Sequence, residues 1–225
     1  MKPMTDKHLA VLRRHMVELI GVHYDLASEE IGRDSLDERV AEAMMNVPRH
    51  VFVPAPLAGL AYHDTPLPIG FDKTISQPFI CALMLDLLSV QPDDNVLEVG
   101  TGLGYQAALL SELAAQVWSV EIVEEFAAAA ELILRQLGYF NVEVRAGDGT
   151  RGWPEHAPFD RILVTAAAAR PPQPLTDQLK AGGRLVMPVG TEEVQHLTVF
   201  DKRADGTLAE QEIMPVRFTK LEVDV

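Results

Sequence analysis

The chain has 225 residues, 48% hydrophobic and 23% charged, enough to bury a full core in one sizeable domain. A formal net charge of −14 without a dense Lys/Arg run disfavours a nucleic-acid partner, and no apolar run approaches the length of a membrane span. Cys81 is the single cysteine, which excludes an internal disulfide; with no signal-peptide layout at the N-terminus, a cytoplasmic location is expected.

Residues 6–20 place Leu9, Leu12, Met16, Leu19 and Ile20 on one helical face. Ser35-Leu36-Asp37-Glu38 reads as a capping box, with Ser35 at N-cap, opening a second helix that runs to about Asn46. Pro48, Pro54, Pro56, Pro66 and Pro68 then forbid regular helix and predict an irregular, extended segment. Pro78 fits the first turn of a third helix, from Phe79 to about Val90.

From there strands and helices alternate. Strands are expected at Asn95–Val99, Gln116–Glu121, Asn141–Arg145, Phe159–Thr165 and Gly183–Val189. Helices are expected around Tyr105–Ala115, Glu124–Leu137 and Leu175–Lys180. His196–Asp201 and Leu208–Val216 flank the turn signal Asp205-Gly206, so the chain closes on an antiparallel hairpin. The expected fold is α/β: a doubly wound, mostly parallel seven-stranded sheet of Rossmann-like type, with N-terminal helices and the C-terminal hairpin. Within one compact unit, residues 1–78 form a helical and extended cap on the substrate side, and residues 79–225 form the core.

The most informative stretch is Val96-Leu97-Glu98-Val99-Gly100-Thr101-Gly102-Leu103-Gly104-Tyr105, a short strand running into three glycines at alternate positions. Such a turn lets a ligand lie against bare backbone, with the amides of the next helix pointing at it. The dinucleotide fingerprint G-x-G-x-x-G would put its third glycine at position 105, where Tyr105 stands; Gly104 comes one residue early. The pattern E-x-G-x-G-x-G resembles motif I of class I S-adenosylmethionine-dependent methyltransferases instead.

Other strand ends carry matching signals. Glu121 closes the second strand, where a carboxylate can accept from both ribose hydroxyls; nicotinamide enzymes use an acid in a similar place, and a solvated strand end would look the same. Asp148, in Gly147-Asp148-Gly149, could accept from an adenine amino group or could sit in an ordinary turn. Thr165 ends the fourth strand. Glu98, an acid inside a buried strand, could take hydrogen bonds from the glycine-loop amides and favour the cationic methionine end of the donor, or simply anchor the loop. The candidate donor set is Glu98, Gly100, Thr101, Gly102, Leu103, Gln106, Glu121, Asp148, Gly149 and Thr165. The histidines show no metal-ligand spacing and no P-loop or nucleophile elbow occurs, so no metal site is expected.

Upstream, Thr74 and Ser76 flank Ile75 at strand-like spacing, so both hydroxyls can face one side. By position alone Ser76 is also a natural N-cap for the third helix. The segments Val47–Pro54, Pro66–Pro78, Val96–Ala108, Gly147–Gly149, Val164–Ala167 and Leu179–Gly190 resemble the protein-L-isoaspartate O-methyltransferase family, across roughly residues 40–218. Motif I is shared by many methyltransferases, whereas Thr74-Ile75-Ser76-Gln77-Pro78 is far more specific. The resemblance implies methyl transfer from S-adenosylmethionine to the α-carboxyl of L-isoaspartyl residues in damaged proteins, leaving S-adenosylhomocysteine; the ester then collapses to a succinimide. It further implies that Ser76 is the active-site serine with Thr74 beside it and that the partners are isoaspartyl peptides or proteins; the charge and the short apolar runs leave nucleic acid and membrane outside the expected partners, and a monomer is expected.

Two places depart from the family pattern. Ala169-Arg170 stands where a Pro-Glu pair is usual, and Phe218-Thr219-Lys220-Leu221 where Phe-Val-Pro-Leu is usual; Leu103 for serine is milder. These departures leave open a different peptide or small carboxylate acceptor, or a binding homologue without catalysis. No His–Asp relay for Ser76 is visible in the sequence, so a covalent serine is not expected.

Overall fold

The computed structural model describes residues 5–223; residues 1–4 and 224–225, the outer ends of the expected cap and core, lie outside the described residues. Helix α1 (Asp6–Ile31) starts at Thr5, whose side chain accepts from the His8 amide, and stops at Gly32, with φ of 70°. It runs well past residue 20 because its apolar face continues through Tyr24 and Ile31, both buried.

Helix α2 (Glu38–Asn46) is capped by Asp37, which accepts from the Arg39 amide at 2.7 Å, and not by Ser35. The Asp37 amide is itself held by Asp86 at 3.3 Å, so the chain turns helical only after Asp37. Asp86 also accepts from Tyr24 (3.1 Å) and Arg33 (3.0 Å), tying the N-terminal helices to the core. The proline-rich stretch is less extended than expected: it folds into short 3-10 helices at Arg49–Phe52 and Ala55–Leu60. These need fewer consecutive amide donors than an α-helix, and proline is tolerated in their first turn.

A small antiparallel hairpin, β1 (Leu67–Gly70) and β2 (Lys73–Ile75), was not read from the sequence. Its turn residues Phe71 and Asp72 hold φ of 49° and 55°, and the Phe71 ring packs edge-on against Phe126 at 5.2 Å. Helix α3 (Pro78–Leu88) follows and is buried on nearly every side.

The main sheet contains β3 (Asn95–Val99), β4 (Gln116–Glu121), β5 (Val142–Ala146), β6 (Phe159–Val164), β7 (Leu179–Gly190), β8 (Gln195–Lys202) and β9 (Leu208–Val216). Spatial order is β5-β4-β3-β6-β7-β8-β9; the sheet is parallel up to β7 and, as expected, antiparallel for the last two strands. Helices α4 (Tyr105–Leu113), α5 (Glu124–Leu137) and α6 (Gln173–Gln178) complete the layers. The chain leaves β3 toward β4 on one side while β6 pairs on the other, so a crevice opens at the carboxyl ends of β3 and β6, where open α/β sheets bind ligands. Among the described residues no helix is long and apolar enough to cross a membrane.

Candidate active site

The glycine turn after β3 is built tightly on its own neighbours. Gly100 holds φ of 97°, and a Cβ there would overlap the Thr165 hydroxyl. That hydroxyl donates to the Gly100 carbonyl at 2.7 Å, and the Thr165 amide donates to the Val99 carbonyl at 2.9 Å, stitching β3 to β6 at the crevice. Gly104 holds φ of 98° at the start of α4, and a Cβ there would come within 3.3 Å of Ala130 and Leu134 on α5. These two glycines thus serve close packing as well as the backbone turn.

The acids on the strand ends separate by role. Glu121 is 5% exposed, and its two oxygens accept the Gly102 amide at 2.7 Å and the Val123 amide at 3.0 Å. Each oxygen keeps acceptor capacity for a further donor. The glycine-loop amide expected on Glu98 therefore goes to Glu121. Glu98 lies fully buried one layer deeper, accepting from Ser119, which in turn bonds Thr101 at 2.6 Å. Its other oxygen, Oε1, has no hydrogen-bond partner among the described residues. Burial pushes the Glu98 carboxyl up to about 8; the Ser119 bond pulls the other way and the charge of Glu121 adds to the rise. Asp148 spends one oxygen on its own turn, accepting from the Thr150 amide (2.9 Å) and hydroxyl (2.6 Å), so only its neighbour Gly149 reaches the crevice wall.

On the other side of the crevice the structure removes the capping role from Ser76. The first turn of α3 is capped by Asp64, whose Oδ1 accepts the Phe79 amide at 2.8 Å while Oδ2 accepts from the Gln77 side chain at 2.8 Å. The Ser76 carbonyl is held by the fully buried Arg49 at 2.7 Å, and Arg49 also bonds the Ala61 carbonyl at 2.8 Å and sits over the Tyr105 ring. Among the described residues neither the Ser76 nor the Thr74 hydroxyl has a hydrogen-bond partner.

Three cavities meet at Thr74 and Thr165, and two of them at Ser76. An open cleft of about 820 Å³ is lined by Thr74, Ser76, Gln77 and Phe79, with α1 on one wall and residues 214–219 on the other. A hollow of about 90 Å³ is bounded by Gly100, Gly102, Glu121, Ile122, Phe126 and Gly149. A second hollow of about 60 Å³ touches Thr101, Leu103 and Gln106, together with Ser76 and Tyr105. Thr74 and Thr165 border all three, and Ser76 borders the cleft and the smaller hollow. The predicted site residues are thus brought together, except Glu98 beneath the turn and the Asp148 side chain beside it.

The Phe218-Thr219-Lys220-Leu221 run, which the sequence tied to the acceptor, also serves the donor side as a strap. Residues 219–222 roof the larger hollow, and Glu222 pairs with Lys73 of the hairpin. The strap is fixed by Ala167 N–H to the Thr219 carbonyl and Leu221 N–H to the Ala167 carbonyl, both 2.8 Å. That pattern makes no use of the Lys220 N–H, so the loss of a proline there leaves the strap's register intact. Ala169 and Arg170 are exposed and line none of the three cavities.

A parallel sheet with this glycine turn on its first core strand, a carboxylate at the tip of the next and a small hollow between them defines a class I S-adenosylmethionine-dependent methyltransferase. The family profile described as protein-L-isoaspartate(D-aspartate) O-methyltransferase matches residues 25–224. The chain is 51% identical over 219 residues to protein-L-isoaspartate O-methyltransferase 1 of Polaromonas sp., covering 97% of this chain and 93% of that one. It is 56% identical over 185 residues to the protein-L-isoaspartate O-methyltransferase of Gloeobacter violaceus, covering 82% and 90%. A solved protein-L-isoaspartate O-methyltransferase superposes with a TM-score of 0.80 at 27% identity, over 92% of this chain and 65% of that longer one. The fold is shared with a Plasmodium falciparum structure described as the same enzyme in complex with S-adenosyl-L-homocysteine, at a TM-score of 0.78 and 21% identity over 94% and 99%. The chain belongs to the protein-L-isoaspartate(D-aspartate) O-methyltransferase family.

Proposed function

We propose that this chain transfers a methyl group from S-adenosylmethionine to the free carboxyl of L-isoaspartyl residues in peptides and damaged proteins, with Ser76 and Thr74 aligning the acceptor. The observation that carries the assignment is the position of those hydroxyls. They stand unpartnered where the open cleft meets the donor hollows, and Asp64 has relieved Ser76 of the capping duty its sequence position suggests.

The lining of the hollows suits the chemistry of the donor. Glu121 offers two carboxylate oxygens with spare acceptor capacity to a pair of vicinal ribose hydroxyls, while Ile122 and Phe126 give an apolar surface beside them. Gly100, Gly102, Gly149 and Thr165 form the floor, and Thr101, Leu103 and Gln106 the smaller chamber. Glu98 acts from below by holding Ser119 and Thr101 in place, and Asp148 by shaping the turn that presents Gly149. When bound, S-adenosylmethionine supplies a methyl group on a cationic sulfur.

The chain's own work is then alignment and exclusion of water. A carboxylate acceptor with an ordinary pKa of about 4 is ionised at neutral pH, so no general base is required. A hydroxyl orients such an anion without neutralising it, whereas a lysine would hold it tightly and dull its attack. Ser76 bonds to no histidine among the described residues, in keeping with an aligning role rather than a covalent one. The strap residues Thr219 and Lys220 border the donor side, and Thr219 also the cleft, so the replaced Val-Pro pair bears on which isoaspartyl contexts fit best.

The test is methyl incorporation into an isoaspartyl peptide and its aspartyl counterpart, run beside calorimetry with S-adenosylhomocysteine. Methylation confined to the isoaspartyl peptide is expected. Cofactor binding without isoaspartyl methylation would show that the acceptor is something else.

A further inference from the structure

We propose that His23 is a specificity-determining residue of the acceptor cleft, accepting a hydrogen bond from a main-chain N–H of the peptide that flanks the isoaspartyl residue. This rests on the acceptor reading above. His23 lies in α1, just ahead of the family match at residues 25–224, yet its side chain lines the large cleft. The imidazole is locked in place. Its Nδ1 lies 2.7 Å from Asp64 Oδ2, with side-chain exposures of 34% and 4%, and its ring meets Phe79 edge to face at 5.5 Å.

The network assigns the tautomer. Asp64 already takes N–H donors from Gln77 and Phe79, so it acts purely as an acceptor, and Nδ1 carries the proton that reaches it. With its Nδ1 proton given to Asp64, an imidazole in this tautomer has Nε2 as its acceptor; the side chain lines the cleft, and Nε2 has no partner among the described residues. A lone pair calls for a donor, and an extended peptide offers one at every residue except proline.

Position decides which part of the acceptor it meets. Thr74 borders the cleft and both donor hollows, and Ser76 the cleft and the smaller hollow, where the reacting carboxyl must lie; His23 borders the cleft alone. It therefore faces the flanking chain and not the group that is methylated. Asp64 couples the two places: the same carboxylate that orients His23 holds Gln77 and the first turn of α3, next to Ser76.

The experiment is a cycle of two enzymes and a peptide series. Wild type and His23→Phe are assayed on one isoaspartyl peptide and on analogues N-methylated at single main-chain amides near the isoaspartyl residue. Loss of one neutral hydrogen bond should raise KM about fivefold in His23→Phe, with kcat changed by less than about twofold. One N-methylated analogue should show the same rise with wild type and no further rise with the variant. His23→Gln, which keeps an acceptor oxygen, should recover part of the affinity. Equal KM for wild type and His23→Phe, or independent effects for every analogue, overturns the proposal. Should His23→Phe not fold, as judged by S-adenosylhomocysteine binding, the same cycle is read with His23→Ala. Failure of wild type to methylate any isoaspartyl peptide overturns the acceptor reading and this inference together; turnover with no His23 dependence overturns the inference alone.

Discussion

The donor hollows and the acceptor cleft share a wall but are built on opposite plans. The donor side has its floor on the strand tips of one sheet and the turns that follow them, with the hairpin and the strap closing over it, in hollows of about 90 and 60 Å³. The acceptor side is an open cleft of about 820 Å³ assembled from α1, the hairpin, the start of α3 and the end of β9 with the residues after it. A site for one invariant small molecule can be written into local turns on a stiff frame. A site for a damaged residue in any protein context needs space and walls contributed from afar.

The comparison is broken most cleanly at Ser76. Removing its hydroxyl should cost about 10²-fold in kcat, the scale of losing alignment of a reacting group. S-adenosylhomocysteine affinity should stay put, because the donor hollow keeps its Glu121 and glycine floor. A parallel loss of cofactor affinity would mean that the two sides are not separable as drawn.

Glu121→Gln strikes the other side. The amide must turn its NH2 toward one of two backbone N–H groups, from Gly102 or Val123, that the carboxylate now accepts. Cofactor affinity should fall about 30-fold, as for a lost charged hydrogen bond, while kcat at saturating cofactor changes little. Isothermal titration against kinetics at two cofactor concentrations distinguishes this from a general collapse.

Glu98 gives the donor side a pH signature. Its carboxyl releases its proton at about 8 when folded, against an ordinary 4.5. Between those values the folded chain binds more protons than the unfolded one, so stability falls as pH rises, by a few kcal/mol over the whole window. Glu98→Gln mimics the protonated acid and can still accept from Ser119. It should remove that slope, so the variant is the more stable at pH 8 in denaturant titrations and no better at pH 5. Equal slopes in both proteins would show that Glu98 is ionised in the fold.

What could be read in the sequence follows the same divide. The strand borders at Asn95, Gln116 and Leu208, the mostly parallel seven-stranded sheet with its closing hairpin and the ten donor candidates are local signals, because a strand tip followed by glycine or an acid is contiguous in the chain. Two of those candidates, Glu98 and Asp148, point elsewhere because a neighbour competes for their oxygens: Ser119 for one and the Thr150 turn for the other. On the acceptor side Thr74 and Ser76 were visible as an alternating pair. His23, Asp64 and Arg49 were not, since their function depends on contacts across long stretches of chain that no periodicity encodes. The cap at Asp37 in place of Ser35 is the same lesson at short range, decided by a bond from Asp86 far along the sequence.

The finest probe of the comparison is the Lys73–Glu222 pair, which joins the hairpin to the strap over the larger donor hollow. Lys73 is 22% exposed and Glu222 52%, so solvent screens the pair, and such bridges contribute about 0.2–1 kcal/mol. That is too little to hold the roof shut but enough to bias how often it opens. Glu222→Gln should therefore speed S-adenosylhomocysteine release by about two- to threefold in stopped-flow exchange, with Ser76-dependent kcat untouched. High salt should produce the same acceleration in wild type and little further change in the variant, since screening removes what the substitution has already removed. If salt accelerates both proteins equally, the roof is held by the Ala167–Thr219 and Leu221–Ala167 backbone bonds alone, and the ion pair is only a surface contact.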